Sequence, residues 1–326
     1  MRAVLFDRYG DPDVLTEAEL PVPEPGPGQI SVDVTHAGVN FAEVMFRRGQ
    51  IQVGLPHVPG LEATGTVRAV GEGVTGLRPG QRVAALTLDG GGYAEVVLAR
   101  ADLTVVLEGP RAIADPALAA AFPCNVPVAL GLLESAARLL PGESVLVLAA
   151  AGGVGTAAAQ IARRAGASLV LGAASTVTKA KYAADFGYDE VVPYEALAEL
   201  VADRTDGRGV DVVLDSVGGE QRAAAAGLLA PLGRQLIFGD AAQQDAPVQP
   251  DHLWFGSRAL VGYNIGDLAH RAPELVRGHL ERAAELVAAG DVRVDFTEFA
   301  LADAAEAHRT LTDRSSTGKL VLRVNG

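Results

Sequence analysis

Residues 145–160, VLVLAAAGGVGTAAAQ, decide the fold. A β-rich apolar run ends in three alanines, a glycine cluster follows (Gly152, Gly153, Gly155), and a small-residue helical pattern continues as TAAAQIARRAGA. This is the order strand, tight turn, helix. Glycines let backbone N–H groups of the turn approach a pyrophosphate at the positive end of the helix dipole. A second apolar run, residues 168–171, closes a βαβ unit of the expected length. Ala151, Gly152, Gly153, Val154 and Gly155 are therefore candidates for holding a dinucleotide. The alternative is a buried turn whose glycines serve close packing alone.

Working outward, strand and helix patterns keep alternating to about residue 260, with later strands in SLVLGAA, DEVVPY, VDVVLDSVG and GRQLIFG. That alternation predicts a doubly wound parallel sheet with helices on both faces. Before it, residues 1–120 carry short strand patterns separated by Pro/Gly turns, such as ISVDVTHAGV, ATGTVRAVG and QRVAAL, which suggests an irregular β-barrel. Residues 115–140 read as helical, and the tail from about 270 reads helix, strand, helix, strand. That tail is too short to stand alone and is expected to pack back onto the first domain. The expected fold class is thus α/β with a β-barrel domain and a Rossmann domain. Its division is residues 1–120, a dinucleotide-binding part 121–262, and a C-terminal segment 263–326 that completes the first.

A chain of 326 residues exceeds the ~250–300 residues at which single cores stop growing, so two domains are expected. With 49 % hydrophobic and 21 % charged residues the chain has the composition of a packed globule. A formal charge of −13 argues against nucleic acid or an anionic membrane as a main partner. One cysteine, Cys124, leaves no internal disulfide and no multi-cysteine zinc site, which fits a reducing cytoplasm. The N-terminal MRAVLFDRYG carries no signal-peptide pattern.

Cofactor choice follows from charge. An NAD site presents an acid about 20 residues after the glycine turn. Here the second strand ends in Gly172-Ala173-Ala174-Ser175, with no acid. A carboxylate would repel a 2′-phosphate, whereas Ser175 and Lys179 can bond to one, so NADPH is expected. The bland alternative for Lys179 is a solvated helix residue. Phe238-Gly239 ends a predicted strand, where open α/β sheets bind ligands; the alternative there is a core residue followed by a turn. Asp215 is expected to fix a turn, with Ser216 and Val217 on the adenine side.

The order AGVNFAEV, PGLEATGTVRAVG, PGQRVAAL, AAAGGVGTAAAQ, DSVG and GKLVL resembles the zinc-independent quinone oxidoreductases of the medium-chain dehydrogenase/reductase superfamily, relatives of zeta-crystallin. The resemblance spans nearly the whole chain. It implies a GroES-like catalytic domain, a Rossmann domain, a cleft between them, and a homodimer or homotetramer. It adds Tyr194 and Arg314 to Lys179 around the 2′-phosphate, and it places Asn40, Phe238, Gly239, Asn264 and Lys319 near the nicotinamide or the cleft.

Zinc-dependent cousins carry a Cys just before the GVN-like stretch and Gly-His-Glu where this chain has Gly60-Leu61-Glu62; here the first position falls in His36-Ala37-Gly38. His36, His57 and Glu62 are the conceivable metal ligands, but packing histidines are the better reading and no metal is expected. Hydride transfer to a quinone or activated alkene needs orientation and a donor for the developing oxyanion. Asn40 is the first candidate for orientation and Arg47 a possible electrostatic partner. Glu43 is a weaker candidate, with an exposed helix carboxylate as its bland reading. The chain departs from the family at Met45, where a Tyr is often found, at Val126 or Pro127, where a Thr is expected, and at His36. The acceptor is therefore a quinone or other activated carbonyl or alkene, with 2-enoyl-thioester or enone reduction as the alternative. A cofactor-binding structural or regulatory protein with little turnover is the alternative of another class. Alcohol dehydrogenation is disfavoured because it relies on zinc as Lewis acid.

Overall fold

The computed structural model describes residues 1–244 and 247–325. The chain divides into two units, one formed by Met1–Pro127 with Gly266–Gly326 and the other by Val128–Ile265.

In the first unit, strands β1 (Arg2–Leu5) and β2 (Thr16–Glu19) form a ribbon. The larger sheet uses β3 (Gln29–Val39), β4 (Glu62–Val70), β5 (Arg82–Leu86), β6 (Val96–Arg100) and β7 (Thr104–Val106). The second unit supplies β8 (Ser144–Val147), β9 (Leu169–Ala174), β10 (Glu190–Pro193), β11 (Val210–Asp215), β12 (Leu229–Ile237) and β13 (Ala259–Gly262). The chain then returns to the first unit with β14 (Phe296–Ala300) and β15 (Lys319–Arg323).

Among the described residues the larger sheet of the first unit runs β14-β15-β3-β4-β5-β7, with β6 also on β3. Alternation along β3 buries Ile30, Val32 and Val34 beside Val67, Val83 and Val97. The register then decides what meets at one end of the sheet. Leu320 pairs with Val39, so Lys319 arrives beside Asn40. Ala63 pairs with Ala37, so Glu62 lies across from Gly38. A Cβ on Gly38 would fall onto the Glu62 carboxylate, and only glycine leaves that side chain its room. The last strand of the chain is thus what completes the site.

In the second unit the strands are all parallel, in the order β10-β9-β8-β11-β12-β13. Covered on both faces, they read as continuous apolar runs; all four residues of β8 are buried. Strand order reverses at β8 and β11, which is the switch point at which such sheets bind ligands. The helix Gly153–Arg164 follows β8 directly and buries Ala157, Ala158, Ala159 and Ile161. Small side chains on that face let helix and sheet pack closely.

One local departure follows Val126. The helical pattern expected across residues 127–140 is an α-helix only over Asn125–Leu130, and it continues as a π-helical turn over Gly131–Ala136. Such turns widen a helix locally and recur at functional sites.

Candidate functional site

At the carboxyl ends of the second unit's strands the candidate residues gather. The turn after β8 holds Ala151 and Gly152, and Gly153, Val154 and Gly155 begin the following helix, whose N-cap is Gly152. A Cβ at Gly155 would stand 2.6 Å from the Ala149 carbonyl oxygen and 2.7 Å from that of Ala150. No side chain fits there, so the helix N-terminus comes down onto the strand end with its N–H groups unshielded, as a phosphate requires. Tyr194, just past β10, reaches this turn: its hydroxyl accepts from the Ala149 N–H at 3.0 Å.

Ser175 is exposed immediately after β9. Thr176 caps the next helix, Val177–Ala184, by accepting from the Lys179 N–H at 3.2 Å. Hydroxyl, helix N-terminus and the half-buried Lys179 together suit a phosphate, and no carboxylate stands among residues 172–179. After β11, Asp215 is fully buried. Its Oδ1 accepts from the N–H groups of Val217 (2.8 Å) and Gly218 (2.9 Å), while Oδ2 takes Arg222 at 2.7 Å and Gln235 at 3.1 Å. It fixes the turn that presents Ser216 and Val217, as its sequence position suggested. Phe238 follows β12 and donates its N–H to the Asp215 carbonyl at 3.0 Å. A Cβ on Gly239 would meet Ser216 at 3.0–3.3 Å. Asn264 is exposed just past β13. Each of these sites sits at the carboxyl end of its strand, the side on which such sheets take dinucleotides, so the residues present fit one. Of the remaining cofactor candidates, Arg314 is exposed in the first unit, at φ +53°, in the turn after the helix Ala304–Thr312.

The other group of candidates lies in the first unit. Asn40 is the N-cap of the helix Phe41–Arg47. Its Nδ2 donates to Glu62 Oε1 at 2.9 Å, and its Oδ1 accepts from Lys319 Nζ at 2.5 Å. Lys319 Nζ also stands 2.5 Å from Glu62 Oε1, with the lysine 4 % and the glutamate 0 % exposed. Glu62 Oε2 accepts the Cys124 N–H at 2.7 Å. This fixes the orientation of the amide: an ammonium only donates and a carboxylate only accepts, so Asn40 cannot be flipped.

Two expectations are corrected here. Glu43 is not an exposed helix carboxylate but fully buried. It stands third in the helix and reaches back to the Asn40 N–H at 2.9 Å, as capping boxes do. It also accepts the Leu61 N–H at 2.8 Å and the Tyr93 hydroxyl at 2.7 Å. Burial raises its pKa above the usual carboxylate range, and these donors oppose the rise. Arg47, expected as an electrostatic partner for the acceptor, is an interior group with no exposure. It points to the Gly10 carbonyl and to His308. It lies at the far end of the same helix from Asn40, and burial lowers its pKa to about 10.

The metal candidates do not converge. His36 Nε2 stands 3.4 Å from Glu298. The His57 ring packs on Phe6 and Phe46 at 5.4 and 6.2 Å between centroids. The Glu62 oxygens are taken by an ammonium, an amide and a backbone N–H. This donor set does not suit zinc, whose ligands must turn lone pairs to one point. Among the described residues no cluster of three or more His, Cys, Asp or Glu is placed to hold a metal ion. Desolvation, with Glu62 adding to it, pushes the Cys124 thiol up to about 12, which removes it as a nucleophile. The interior partners Tyr93 and His308 left no signal in the sequence, whereas the three-residue spacing of Asn40 and Glu43 is that of a capping box once the helix start is known.

Residues 26–109 match the model of the alcohol dehydrogenase GroES-like domain, and residues 153–281 that of the zinc-binding dehydrogenases. A quinone oxidoreductase of Pseudomonas aeruginosa is 35 % identical over 98 % of this chain and 99 % of its own. The Escherichia coli quinone oxidoreductase, solved in complex with NADPH, superposes with a TM-score of 0.92 at 29 % identity, covering 99 % of this chain and 100 % of its own. A phthioceranic/hydroxyphthioceranic acid synthase of Mycobacterium tuberculosis is 33 % identical over 97 % of this chain, which corresponds to 15 % of that protein. Among the described residues no helix is long and apolar enough to cross a membrane.

Proposed function

The chain belongs to the quinone oxidoreductase family of the medium-chain dehydrogenase/reductase superfamily, and from that premise we propose that it reduces a quinone or another activated carbonyl or alkene at the expense of NADPH, without zinc. The observation that carries this is the rim of the parallel sheet, where the glycine turn, Ser175, Tyr194, Ser216, Val217, Phe238, Gly239 and Asn264 all follow strand ends. When bound, the nicotinamide supplies the hydride.

The chain's own residues bind and orient. The turn at Ala151–Gly155 holds the pyrophosphate through backbone N–H groups. Ser175 and Lys179 hold the 2′-phosphate. Asn40, fixed by Glu62 and Lys319, aims its remaining Nδ2–H at the oxygen on which negative charge develops, and it does so without reorganisation during the reaction. The nearby ammonium of Lys319 favours that charge.

Oxidation of NADPH and NADH, followed by loss of reduced-nicotinamide absorbance against 1,4-quinones and enones, tests this. Quinone turnover with a marked preference for NADPH is expected, and Lys179→Glu is expected to abolish the preference. Equal use of NADH by the wild type would overturn the phosphate assignment; binding without turnover of any acceptor would move the chain to a non-catalytic role. The similarity to part of an acid synthase favours a second acceptor class, 2-enoyl thioesters or enones, and the same panel separates the two.

We also propose a homodimer or homotetramer in a reducing cytoplasm. The stacked rings of Trp254 and Phe255 are 75 % and 77 % exposed, and β13 ends its sheet with one edge unpaired among the described residues. An open edge beside exposed aromatics suits a second copy of the chain. Light scattering reads the mass, and a monomer would count against it.

A further inference from the structure

The interior of the first unit holds a buried arginine and a buried glutamate that do not touch. Arg47 and Glu43 are both fully buried, and no carboxylate is hydrogen-bonded to Arg47 among the described residues. Two neutral side chains lie between them. Arg47 Nε donates to His308 Nδ1 at 3.4 Å, His308 Nε2 stands 3.1 Å from the Tyr93 hydroxyl, and that hydroxyl donates to Glu43 Oε2 at 2.7 Å. His308 and Tyr93 are also without exposure, and their rings meet edge to face at 5.9 Å.

Chemistry gives the chain one direction. Guanidinium only donates, so His308 Nδ1 is the bare nitrogen. A neutral ring then carries its proton on Nε2, which donates to the Tyr93 oxygen. The phenol in turn donates to the carboxylate, which only accepts. Charge at one end and countercharge at the other are joined by donors that all point the same way.

The far end of this chain is where it bears on the site. Glu43 Oε2 holds the Asn40 N–H and Oε1 holds the Leu61 N–H, next to Glu62. One carboxylate therefore ties the Asn40 backbone to that of Leu61, the residue preceding Glu62, whose side chain meets that of Asn40 at 2.9 Å. We propose that Arg47, His308, Tyr93 and Glu43 form a one-way hydrogen-bond relay that sets the spacing of Asn40 and Glu62 for the acceptor. Tyr93 and His308 are then positioning residues of the reaction, acting through Glu43. The relay rests on the proposed reductase activity for its consequence, though not for its geometry.

Two measurements test it. Nitrogen-15 spectra of histidine-labelled wild-type protein report the tautomer directly, and the expected result is a protonated Nε2 with a bare Nδ1 on His308. In turnover, Tyr93→Phe and His308→Leu are expected to lower kcat about tenfold, because a small misplacement of orienting groups is costly, with KM for NADPH within about twofold. His308→Gln, whose amide N–H reaches toward Tyr93, is expected to keep more activity than His308→Leu, a difference that a merely space-filling histidine does not give. A protonated Nδ1, or a folded Tyr93→Phe enzyme with wild-type kcat, overturns the relay. A variant that fails to fold leaves the tautomer to decide. Absence of turnover in the wild type would strike the proposed activity and not the relay, on which the spectra still rule.

Discussion

Replacing Lys319 by methionine removes the ammonium 2.5 Å from Glu62 Oε1 and leaves a carboxylate with no exposure. Breaking a buried pair by taking one partner costs about 3–5 kcal/mol, because the other charge is stranded. Glu62 keeps two donors, Asn40 Nδ2 at 2.9 Å and the Cys124 N–H at 2.7 Å. These place the expected loss near the lower end, about 3 kcal/mol. Adding Glu62→Gln to Lys319→Met removes the stranded charge, and the double variant is expected within about 1 kcal/mol of wild type. Activity follows another course: without Lys319 nothing anchors Asn40 Oδ1, so both single and double variants are expected to lose most turnover. A chain of two units does not license one global unfolding constant. Amide hydrogen exchange over β3, β4 and β15 reads the opening of the first unit itself. A loss in Lys319→Met below about 1 kcal/mol, or a double variant no more protected than the single, would refute the view that these charges are mutually dependent.

Two further outcomes are expected. Gly155→Ala puts a methyl 2.6 Å from the Ala149 carbonyl oxygen and lifts the helix off the strand end. Overpacking of this kind costs about 1–3 kcal/mol, so NADPH affinity, measured by fluorescence titration, should fall about tenfold or more; unchanged affinity would place the phosphate elsewhere. His308 is held by burial at a pKa of about 3 against 6.5 for the free group. Because the folded value is the lower one, the unfolded chain takes up the proton first, and stability is lost as pH falls from 6.5 toward 3. Between pH 7 and pH 5 the loss from this residue is about 2 kcal/mol. The same exchange measurement on wild type and His308→Gln should show the steeper pH dependence in wild type, and equal slopes would remove His308 as the cause.

The sheet rim proposed for the dinucleotide was legible because each of its parts is local. A glycine turn, a strand end without an acid, or a dipeptide after an apolar run can be read within a few residues. The shared direction of the parallel strands then gathers these local features at one rim. The polar group of the first unit is the opposite case. Asn40 and Lys319 are 279 residues apart and meet only because β15 pairs with β3 in one register. Their assignment came from resemblance rather than from any local pattern. Tyr93 and His308 are separated by 215 residues and carry no pattern at all. Glu43 went astray for a different reason. A carboxylate in a helix's first turn is usually solvated, and the capping spacing that says otherwise is visible only once the helix start is fixed.

The two groups also handle charge in opposite ways, with different consequences for change. At the sheet rim, the proposed recognition rests on backbone N–H groups and on side chains at or near the surface, such as Ser175, Lys179 and Asn264. Exposed side chains contribute little to stability, so cofactor preference can be altered there with little cost to the fold. At Asn40, Glu62 and Lys319 the charges are inside, and each is tolerable only while its partner remains. A substitution there acts on stability and orientation together. The chain retains this arrangement even though an apolar core would be no less stable, and what the charges add is an amide that cannot flip. A carboxylate already bonded to an ammonium, an amide and a backbone N–H has most of its acceptor positions taken and its charge compensated, which leaves little for a metal ion. The feature that fixes Asn40 is therefore the same one that unfits Glu62 as a zinc ligand, and stoichiometric zinc bound at Glu62 in the purified wild type would contradict both statements at once.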